Sequence, residues 1–353
     1  MSVIEGADLS DSGGPIHCPY VIECVETGVD VVRWAIEHRP RVSALIDEHG
    51  AILFRGFRVG GARQFEAFAD SVNDSDWVDY REAATPRSQV GTHVFTSTEY
   101  NPELRIYVHN ENSHVTSWPL YIFFYCQRPA DTGGETPIAD CSAVYDALPR
   151  DLVGPFERNG WLYQRRFDRF SSITWQAALG VSSRAEVEDY CRTNFMAADW
   201  EGQSLTLRYK RWAALRHPRT GKMTWFNHGT FFSPHTLEPT VRTMLATLGR
   251  QPTYATSYGN GASVGTQTLD FLDGCYRDAT TTFKWRPEDI LMLDNMRFAH
   301  GRHAYLGKRE VFVAMKERIH CSELADPSHY SDPPRRRARN VGKPPAPTCL
   351  PDL

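Results

Sequence analysis

Two histidines and one acidic residue have the types and spacing of a metal site. His109 and Glu111 stand two positions apart in "RIYVHNE", a short aromatic and β-branched run that predicts a strand. Alternate side chains of a strand point to the same face, so the imidazole and the carboxylate would project together. Such a pair is common in proteins, and a third ligand has to come from elsewhere in the chain.

His300 is the predicted third ligand. It follows the apolar run "ILML" and precedes Gly301, which would let another backbone segment approach closely. Two histidines and one carboxylate are the ligand set of non-haem Fe(II) oxygenases, which leaves further positions on the iron open. His93, His114 and His303 show no comparable pattern, and we do not predict them as ligands.

A second group of residues predicts a site for an anionic co-substrate. Arg309 stands at the start of the apolar run "EVFVAM", where a guanidinium could bind a carboxylate through two hydrogen bonds. Thr136 follows the glycine pair of "DTGGET" and could share that carboxylate. A surface ion pair between Arg309 and Glu310 or Glu317 is the alternative.

The elements that position these residues are mainly short strands, with helices outside them. The pattern predicts a helix that ends at Gly50, a buried strand over 51–57 and a helix over 62–72. Two later helices are predicted, one beginning with a capping box at Ser183 and Glu186. Further strands are predicted over "LYIFFYCQ", "TPIADCSAVY", "DILMLDN" (289–295) and "EVFVAMKERI" (310–319), and the second late helix over "EPTVRTMLATLG".

Composition excludes several classes of protein. The 353 residues carry a net charge of −4, which gives no reason to expect nucleic acid as a partner. No apolar run is long enough to cross a membrane, and the start lacks a secretion signal, so we expect a cytoplasmic protein. The eight cysteines are scattered without a CxxC pair, which favours reduced thiols over disulfides or a cysteine-bound zinc.

The end of the chain differs from the rest. From about residue 331 onward, proline and arginine dominate, and few side chains there could fill a core. We predict a single domain over 1–330 and a disordered or surface-bound tail over 331–353. The basic run "RRRAR" is typical of a solvated tail.

Several motifs together resemble a known family. "HNENSHVTSWPLYIFFYCQRPADTGGETPIADCSAVYDALP", "FKWRPEDILMLDNMRFAHGR", "LGKREVFVAM" and the earlier "EHGAILFRGF" are similar to the taurine dioxygenase and clavaminate synthase-like group of Fe(II)/2-oxoglutarate-dependent oxygenases. Within that group the resemblance is to the syringomycin-biosynthesis-type hydroxylases. It covers roughly residues 40 to 320.

The resemblance implies a mainly β fold with outer helices, a double-stranded β-helix or jelly roll. Helices between about 165 and 250 would be an insertion over the site. It makes His109, Glu111 and His300 the ligands of Fe(II), and Thr136 and Arg309 the contacts of 2-oxoglutarate. With O2 as the other co-substrate, the reaction would oxidise an unactivated C–H bond.

Two positions qualify the resemblance. Many relatives carry a second arginine four positions after the first, whereas this chain has Val313 there. Arg309 would then carry more of the co-substrate binding by itself. In halogenases of the family a small residue replaces the carboxylate ligand, so Glu111 disfavours halogenation.

The substrate is predicted more coarsely. Arg165 and Arg166 in "YQRRFDRF", Asn227 in "TWFNH" and Arg302 are candidate substrate contacts, and Trp225, Phe226 and His228 are possible walls of the pocket. Together they favour a small polar substrate that bears a carboxylate, such as an amino acid. It could be free or tethered to a carrier protein, and the product could be an alcohol, an alkene or a ring. The oligomeric state is open.

Two other functional classes use the same residues differently. A zinc hydrolase could use the same three ligands, although the HExxH motif is absent. A β-barrel binding module could keep the fold without the chemistry. A metal-, O2- and 2-oxoglutarate-dependent release of succinate distinguishes the oxygenase from both.

Overall fold

The computed structural model describes residues 3–6, 18–78, 88–171 and 173–331. The predicted tail over 331–353 lies outside these residues except for its first position. The domain boundaries stay predictions.

Eight helices are described: α1 (Val31–His49), α2 (Ala62–Val72), α3 (Cys141–Ala147), α4 (Arg150–Asn159), α5 (Trp175–Leu179), α6 (Arg184–Thr193), α7 (Pro239–Thr247) and α8 (Thr266–Asp278). The strands of the first half are β1 (Val3–Glu5), β2 (Tyr20–Cys24), β3 (Ala51–Arg55), β4 (Phe95–Thr96), β5 (Ile106–His109), β6 (Ser117–Arg128), β7 (Thr132–Gly133) and β8 (Ile138–Asp140). Those that follow are β9 (Trp161–Phe167), β10 (Met196–Glu201), β11 (Ser204–Arg211), β12 (Leu215–Arg216), β13 (Met223–Thr224), β14 (Tyr254–Tyr258), β15 (Thr280–Thr281), β16 (Ile290–Asp294), β17 (Phe298–Arg302), β18 (Tyr305–Leu306) and β19 (Glu310–His320).

Two sheets form the body of the protein. The larger has seven strands in the order β1-β2-β3-β16-β6-β19-β4, and the smaller has four in the order β15-β8-β17-β5. Phe124 and Leu291 of the larger sheet share a buried apolar cluster with Ile138 and Phe298 of the smaller one. Burial of these side chains between the layers is the main force that holds two sheets face to face. Strands thus form the centre of the body, and with its helices the chain mixes sheet and helix.

Helices α1 and α2 cover the other face of the larger sheet. Trp34 of α1 and Phe68 of α2 are buried against this sheet in one cluster with Phe123 of β6. Helix α1 ends at Gly50, whose φ of 74° is the left-handed conformation that glycine adopts most easily. The two predicted helices and the strand between them are confirmed.

One predicted strand is too long. The run "TPIADCSAVY" was expected to be extended, but the strand ends at Asp140 and α3 begins at the next residue. The Asp140 carboxylate accepts hydrogen bonds from the backbone N–H groups of Ser142 and Ala143 at 2.8 and 3.1 Å. This N-cap satisfies the first amides of α3 and turns the chain into a helix.

The 161–258 segment, which follows α4 and ends with β14, forms a third sheet in the order β10-β11-β9-β14. The predicted helices are present as α6, with its capping box at Ser183 and Glu186, and as α7. The segment also contains strands that were not predicted, because β10 and β11 form a hairpin that pairs with β9. A helical insertion over the site stays a prediction. The strict alternation of buried and partly exposed residues in "SLTLRYKR" is the period-two signal of β11.

Within the described ranges, none of the helices is long and apolar enough to cross a membrane. The seven cysteines that the structure describes form no disulfide with one another.

Candidate active site

The pairing of two strands of the smaller sheet brings His109 and His300 together. His300 of β17 is the antiparallel partner of His109 at the end of β5, and the two ring centroids are 4.7 Å apart. Gly301 makes this pairing possible, since a Cβ atom there would lie 2.6 Å from the carbonyl oxygen of Ile106. The close backbone approach expected at Gly301 is therefore present.

Glu111 reaches the histidines from a turn rather than from the strand. β5 ends at His109, so the expected strand geometry for Glu111 is wrong. Its backbone N–H donates to Asn295 Oδ1 at 2.7 Å, and Asn295 Nδ2 donates back to the Glu111 carbonyl at 2.9 Å. This reciprocal pair fixes the turn, and Glu111 Oε2 lies 3.9 Å from His300 Nε2.

The three side chains have the donor geometry of a metal site. One potential ligand atom from each of His109, Glu111 and His300 lies within 4.8 Å of the others. The Nδ1 of His109 is 2.9 Å from the carbonyl oxygen of Tyr107, which can only accept. The ring hydrogen is therefore on Nδ1, and the lone pair is on Nε2, as in histidines that bind metals. This donor set fits a ferrous ion.

Arg309 lies beside the same strands and is held by three hydrogen bonds. Its Nε donates to the Gly134 carbonyl at 2.8 Å, its Nη1 to Ser97 Oγ at 3.2 Å and its Nη2 to Thr136 Oγ1 at 3.4 Å. Trp285 Nε1 also donates to Thr136 Oγ1, at 3.0 Å. The residues predicted to share an anion are thus adjacent.

The charge of Arg309 is not balanced by a carboxylate. Among the described residues no acidic side chain forms an ion pair with it, since Glu310 pairs with Lys308 and Glu317 with Arg219. Burial, with the nearby charge of Arg302, lowers the pKa of the Arg309 guanidinium to about 10. The surface ion pair considered as an alternative is absent, and an anionic ligand would relieve the cost of burying this cation.

A small pocket connects these groups, which we call the inner pocket. It has a volume of about 30 Å³ and is lined by His109, His300, Thr136, Arg302 and Arg309, among others. The predicted metal ligands and the predicted co-substrate contacts therefore face one space.

A much larger space, the outer cavity, shares His109 with the inner pocket. Its volume is about 520 Å³, and His109 and Glu111 are part of its lining. The rest of its wall comes largely from the 161–258 segment, including Phe231, Phe232 and Tyr254. Small-molecule sites are typically concave spaces of this size with apolar walls and a few polar groups.

Two further histidines, His114 and His228, line the outer cavity beside the metal site. Their ring centroids are 4.5 Å apart, and the ring of His228 is 5.4 Å from that of His109. Burial lowers the pKa of both imidazoles well below its usual value, so both rings are neutral.

Three of the four candidate substrate contacts, Arg165, Asn227 and Arg302, have other partners. Asn227 donates to the Ala213 carbonyl at 2.7 Å and accepts from the Gly229 N–H at 2.9 Å, and it does not line the cavity. Arg165 is buried, with its guanidinium over the rings of Phe167 and Tyr254, whereas its neighbour Arg166 lines the cavity.

Arg302 lies on the inner pocket, not on the outer cavity. Its guanidinium donates to the backbone carbonyls of Tyr100, Asn101 and Leu104 at 3.2, 2.7 and 2.9 Å. It therefore holds the loop that contains these three residues, of which Tyr100 and Leu104 line the outer cavity. Of the four residues from Trp225 to His228 in "TWFNH", His228 alone lines the outer cavity.

Several residues of the site were not predicted from the sequence. Ser97 and Trp285 complete the surroundings of Arg309 and Thr136, and Asn295 orients Glu111. Asn295 lies between the strand "ILMLD" and His300. A polar residue in this apolar stretch is the feature from which its role could have been predicted. Ser97 and Trp285 have no comparable local pattern.

The sequence matches the family described as "Taurine catabolism dioxygenase TauD, TfdA family" over residues 19–315. It is 35% identical over 294 residues to the dapdiamide synthesis protein DdaC of Enterobacter agglomerans, with 82% of this chain and 88% of that protein covered. It is 27% identical over 288 residues to the clavaminate synthase-like protein At3g21360 of Arabidopsis thaliana, covering 78% and 83%.

The fold is also similar to a solved structure. A taurine dioxygenase from Burkholderia xenovorans superposes with a TM-score of 0.50 at 14% identity, covering 90% of this chain and 89% of that one. The family predicted from the motifs is confirmed, and with it the enzyme class, the Fe(II)- and 2-oxoglutarate-dependent dioxygenases. The chain belongs to the TauD/TfdA dioxygenase family.

Proposed function

We propose that this dioxygenase oxidises an unactivated C–H bond of a small polar substrate derived from an amino acid, with hydroxylation as the outcome. The observation that carries the proposal is the convergence of His109, Glu111 and His300 to within 4.8 Å, between the inner pocket and the outer cavity. One space then takes the co-substrate and the other takes the substrate.

His109 Nε2, His300 and the Glu111 carboxylate would hold the iron. When bound, iron together with 2-oxoglutarate and O2 supplies the oxidising power for C–H cleavage, with succinate and carbon dioxide as by-products. Asn295 keeps the Glu111 backbone in place, and the Tyr107 carbonyl orients His109. The retained carboxylate at position 111 favours oxygenation over halogenation.

Arg309 and Thr136 would bind the far carboxylate of 2-oxoglutarate. A guanidinium that is partly buried, and without an acidic partner among the described residues, suits a dicarboxylate. Val313, at the position where many relatives have a second arginine, is fully buried between the sheets and makes no polar contact there. Arg309 then supplies the charge of this subsite.

The 161–258 segment would form the wall that selects the substrate. It contributes aromatic and polar residues to the outer cavity, while the sheets of the body contribute the metal ligands. In a double-stranded β-helix built from the two sheets of the body, the segment would cover the open side. Similarity to a dapdiamide synthesis protein supports a substrate from natural-product biosynthesis, free or attached to a carrier protein.

The test is succinate release by the purified protein, with a panel of L-amino acids, free and carrier-tethered. We expect release that requires Fe(II), O2 and 2-oxoglutarate and that one substrate class stimulates. Mass spectrometry of the product then separates gain of one oxygen from loss of two hydrogens. Metal-dependent hydrolysis without O2 would instead identify a zinc hydrolase, and failure to bind 2-oxoglutarate in the presence of Fe(II) would identify a binding module.

A further inference from the structure

The His114 imidazole lacks a polar contact where one is expected. The side chain is 5% exposed and lines the outer cavity, and its Nδ1 has no hydrogen-bond partner among the described residues. Buried polar atoms nearly always have a partner, because an unpaired one loses its hydration without compensation. An unpaired imidazole on the wall of a ligand cavity therefore indicates a role in binding.

The position of this ring is nevertheless well defined. Arg211, which is fully buried, donates from Nε to the His114 carbonyl at 3.1 Å and from Nη2 to the Asn194 carbonyl at 3.0 Å. The ring itself packs against His228 and Phe232, with centroids 4.5 and 4.9 Å away. The backbone and the ring faces are thus fixed, and the ring nitrogens are left for a ligand.

His228 lies between His114 and the metal site and has a defined hydrogen position. Its Nδ1 is 2.6 Å from Ser113 Oγ, and the Ser113 hydroxyl donates to the Asn110 carbonyl at 3.1 Å. Because the hydroxyl hydrogen is used in that bond, His228 Nδ1 is the donor to Ser113. Its Nε2 then carries a lone pair and acts as an acceptor.

The charge of the surroundings limits what these rings can bind. The cations Arg165 and Arg211 lie near His114. This positive potential disfavours an ammonium group. A neutral imidazole offers one donor and one acceptor, which matches an uncharged group that both donates and accepts.

We propose that His114 and His228 form a recognition subsite that hydrogen-bonds an uncharged amide or hydroxyl group of the substrate beside the metal. This inference rests on the proposed function and specifies the substrate class of the same site. The aromatic rings of Phe231, Phe232 and Tyr254 would exclude water around that group and strengthen its hydrogen bonds.

The first experiment compares matched probes on the wild-type protein. Asparagine is paired with aspartate, glutamine with glutamate and threonine with valine, each free and N-acetylated. Probe binding is measured anaerobically from the visible charge-transfer band that Fe(II) and 2-oxoglutarate form in the site. Turnover is measured as succinate release. We expect the half-saturating concentration of the amide or hydroxyl member of each pair to be about ten-fold lower than that of its partner. A ten-fold difference corresponds to the free energy of one good hydrogen bond.

Comparison of the amide pairs with the hydroxyl pair then identifies which of the two groups is preferred. The proposal would be overturned if the acidic or apolar partners bound and stimulated turnover equally well. It would also be overturned if none of the amide or hydroxyl probes bound or stimulated turnover. The band formed by Fe(II) and 2-oxoglutarate alone would still test the proposed function, so the two failures are distinguishable.

The second experiment replaces His114 by phenylalanine, which keeps the ring volume and removes both nitrogens. We expect the half-saturating concentration of the best probe to rise about ten-fold or more, with the 2-oxoglutarate requirement unchanged. The melting temperature should stay the same or rise, because an unpaired buried nitrogen is removed. His114→Gln, which restores a donor and an acceptor, should recover part of the binding.

His235→Phe is the matched control. His235 Nε2 lies 3.1 Å from Asp270 Oδ1 and the residue does not line the cavity, so the probe requirement should not change. A purely structural role for His114 would give a lower melting temperature in His114→Phe with an unchanged probe requirement. That outcome would overturn the proposal.

Discussion

The inner pocket and the outer cavity share His109 but are built in different ways. The inner pocket lies between paired strands, and its arginine is held by three hydrogen bonds. The outer cavity is walled largely by the 161–258 segment, where Val241 and Leu245 come from α7, a helix without a buried residue. The two histidines are thus fixed by backbone pairing, and Glu111 and Arg309 are held by hydrogen bonds. The wall of the outer cavity depends more on side-chain packing.

This difference separates the two tasks of the enzyme. A metal site tolerates little displacement, and strands paired over several residues supply the required rigidity. A substrate wall carried by a separate segment can change while the metal site is kept. Substitutions in the two regions should therefore change different measured quantities.

The largest effect is expected from His109→Ala, which removes a ligand shared by both spaces. Loss of a residue that hydrogen-bonds to a metal ligand typically lowers metal affinity or activity roughly 10- to 100-fold. Loss of the ligand itself should lower turnover by more than that. Succinate release and the anaerobic charge-transfer band measure the loss. His93→Ala, whose ring stacks on Trp77 at 4.9 Å, is the control. Wild-type activity in His109→Ala would remove this residue from the site.

Arg309→Ala tests the inner pocket alone. Loss of a charge-assisted contact of about 1.5–3 kcal/mol should raise the 2-oxoglutarate requirement by about one to two decades. The substrate requirement should change far less. Titration of 2-oxoglutarate against succinate release measures both, with the exposed neighbour Lys308→Ala as the control. An unchanged requirement would show that Arg309 has a structural role.

Gly301→Ala tests the strand pairing that joins the two histidines. The added Cβ would meet the Ile106 carbonyl at 2.6 Å and push β17 away from β5. We expect a loss of about 1–3 kcal/mol in stability, the usual cost of overpacking, and weaker Fe(II) binding. Thermal unfolding and metal titration measure the two effects. Unaltered metal binding would mean that the pairing does not position His300.

Gly229→Ala tests the outer cavity and should have the smallest effect on turnover. Its Cβ would lie 2.1 Å from the ring of Trp161, next to His228. Stability should again fall by about 1–3 kcal/mol, and the substrate requirement should rise while Fe(II) and 2-oxoglutarate binding stay unchanged. Gly265→Ala, with no atom within 4 Å of its Cβ, is the control for both glycine variants. A change in metal binding would contradict the separation of the two regions.

Much of the inner pocket was predictable because its signals are local. Strand alternation and motif spacing singled out His109, His300 and Arg309, and the structure places them together. Glu111 was identified by type, but its position in a turn depends on Asn295, which is 184 residues away. The roles of these residues stay predictions until the variants are measured.

The outer cavity was much less predictable. Arg165, Asn227 and Arg302 were chosen because their types could bind a polar substrate, yet Asn227 and Arg302 bond to backbone groups and Arg165 packs on aromatic rings. Of the other candidates, Arg166 and His228 do line the cavity, and so does His114, which was not predicted as a substrate contact. Local sequence does not show whether a polar side chain will be used by the protein's own backbone.

The sequence alone determined the family, the ligand types and most elements, because these depend on residue identity and short-range periodicity. The tertiary structure decided which polar groups remain available to a ligand. Hydrogen-bond partners such as Asn295 for Glu111 and the Leu104 carbonyl for Arg302 come from distant parts of the chain. These hydrogen bonds form only when the sheets and the 161–258 segment have packed together.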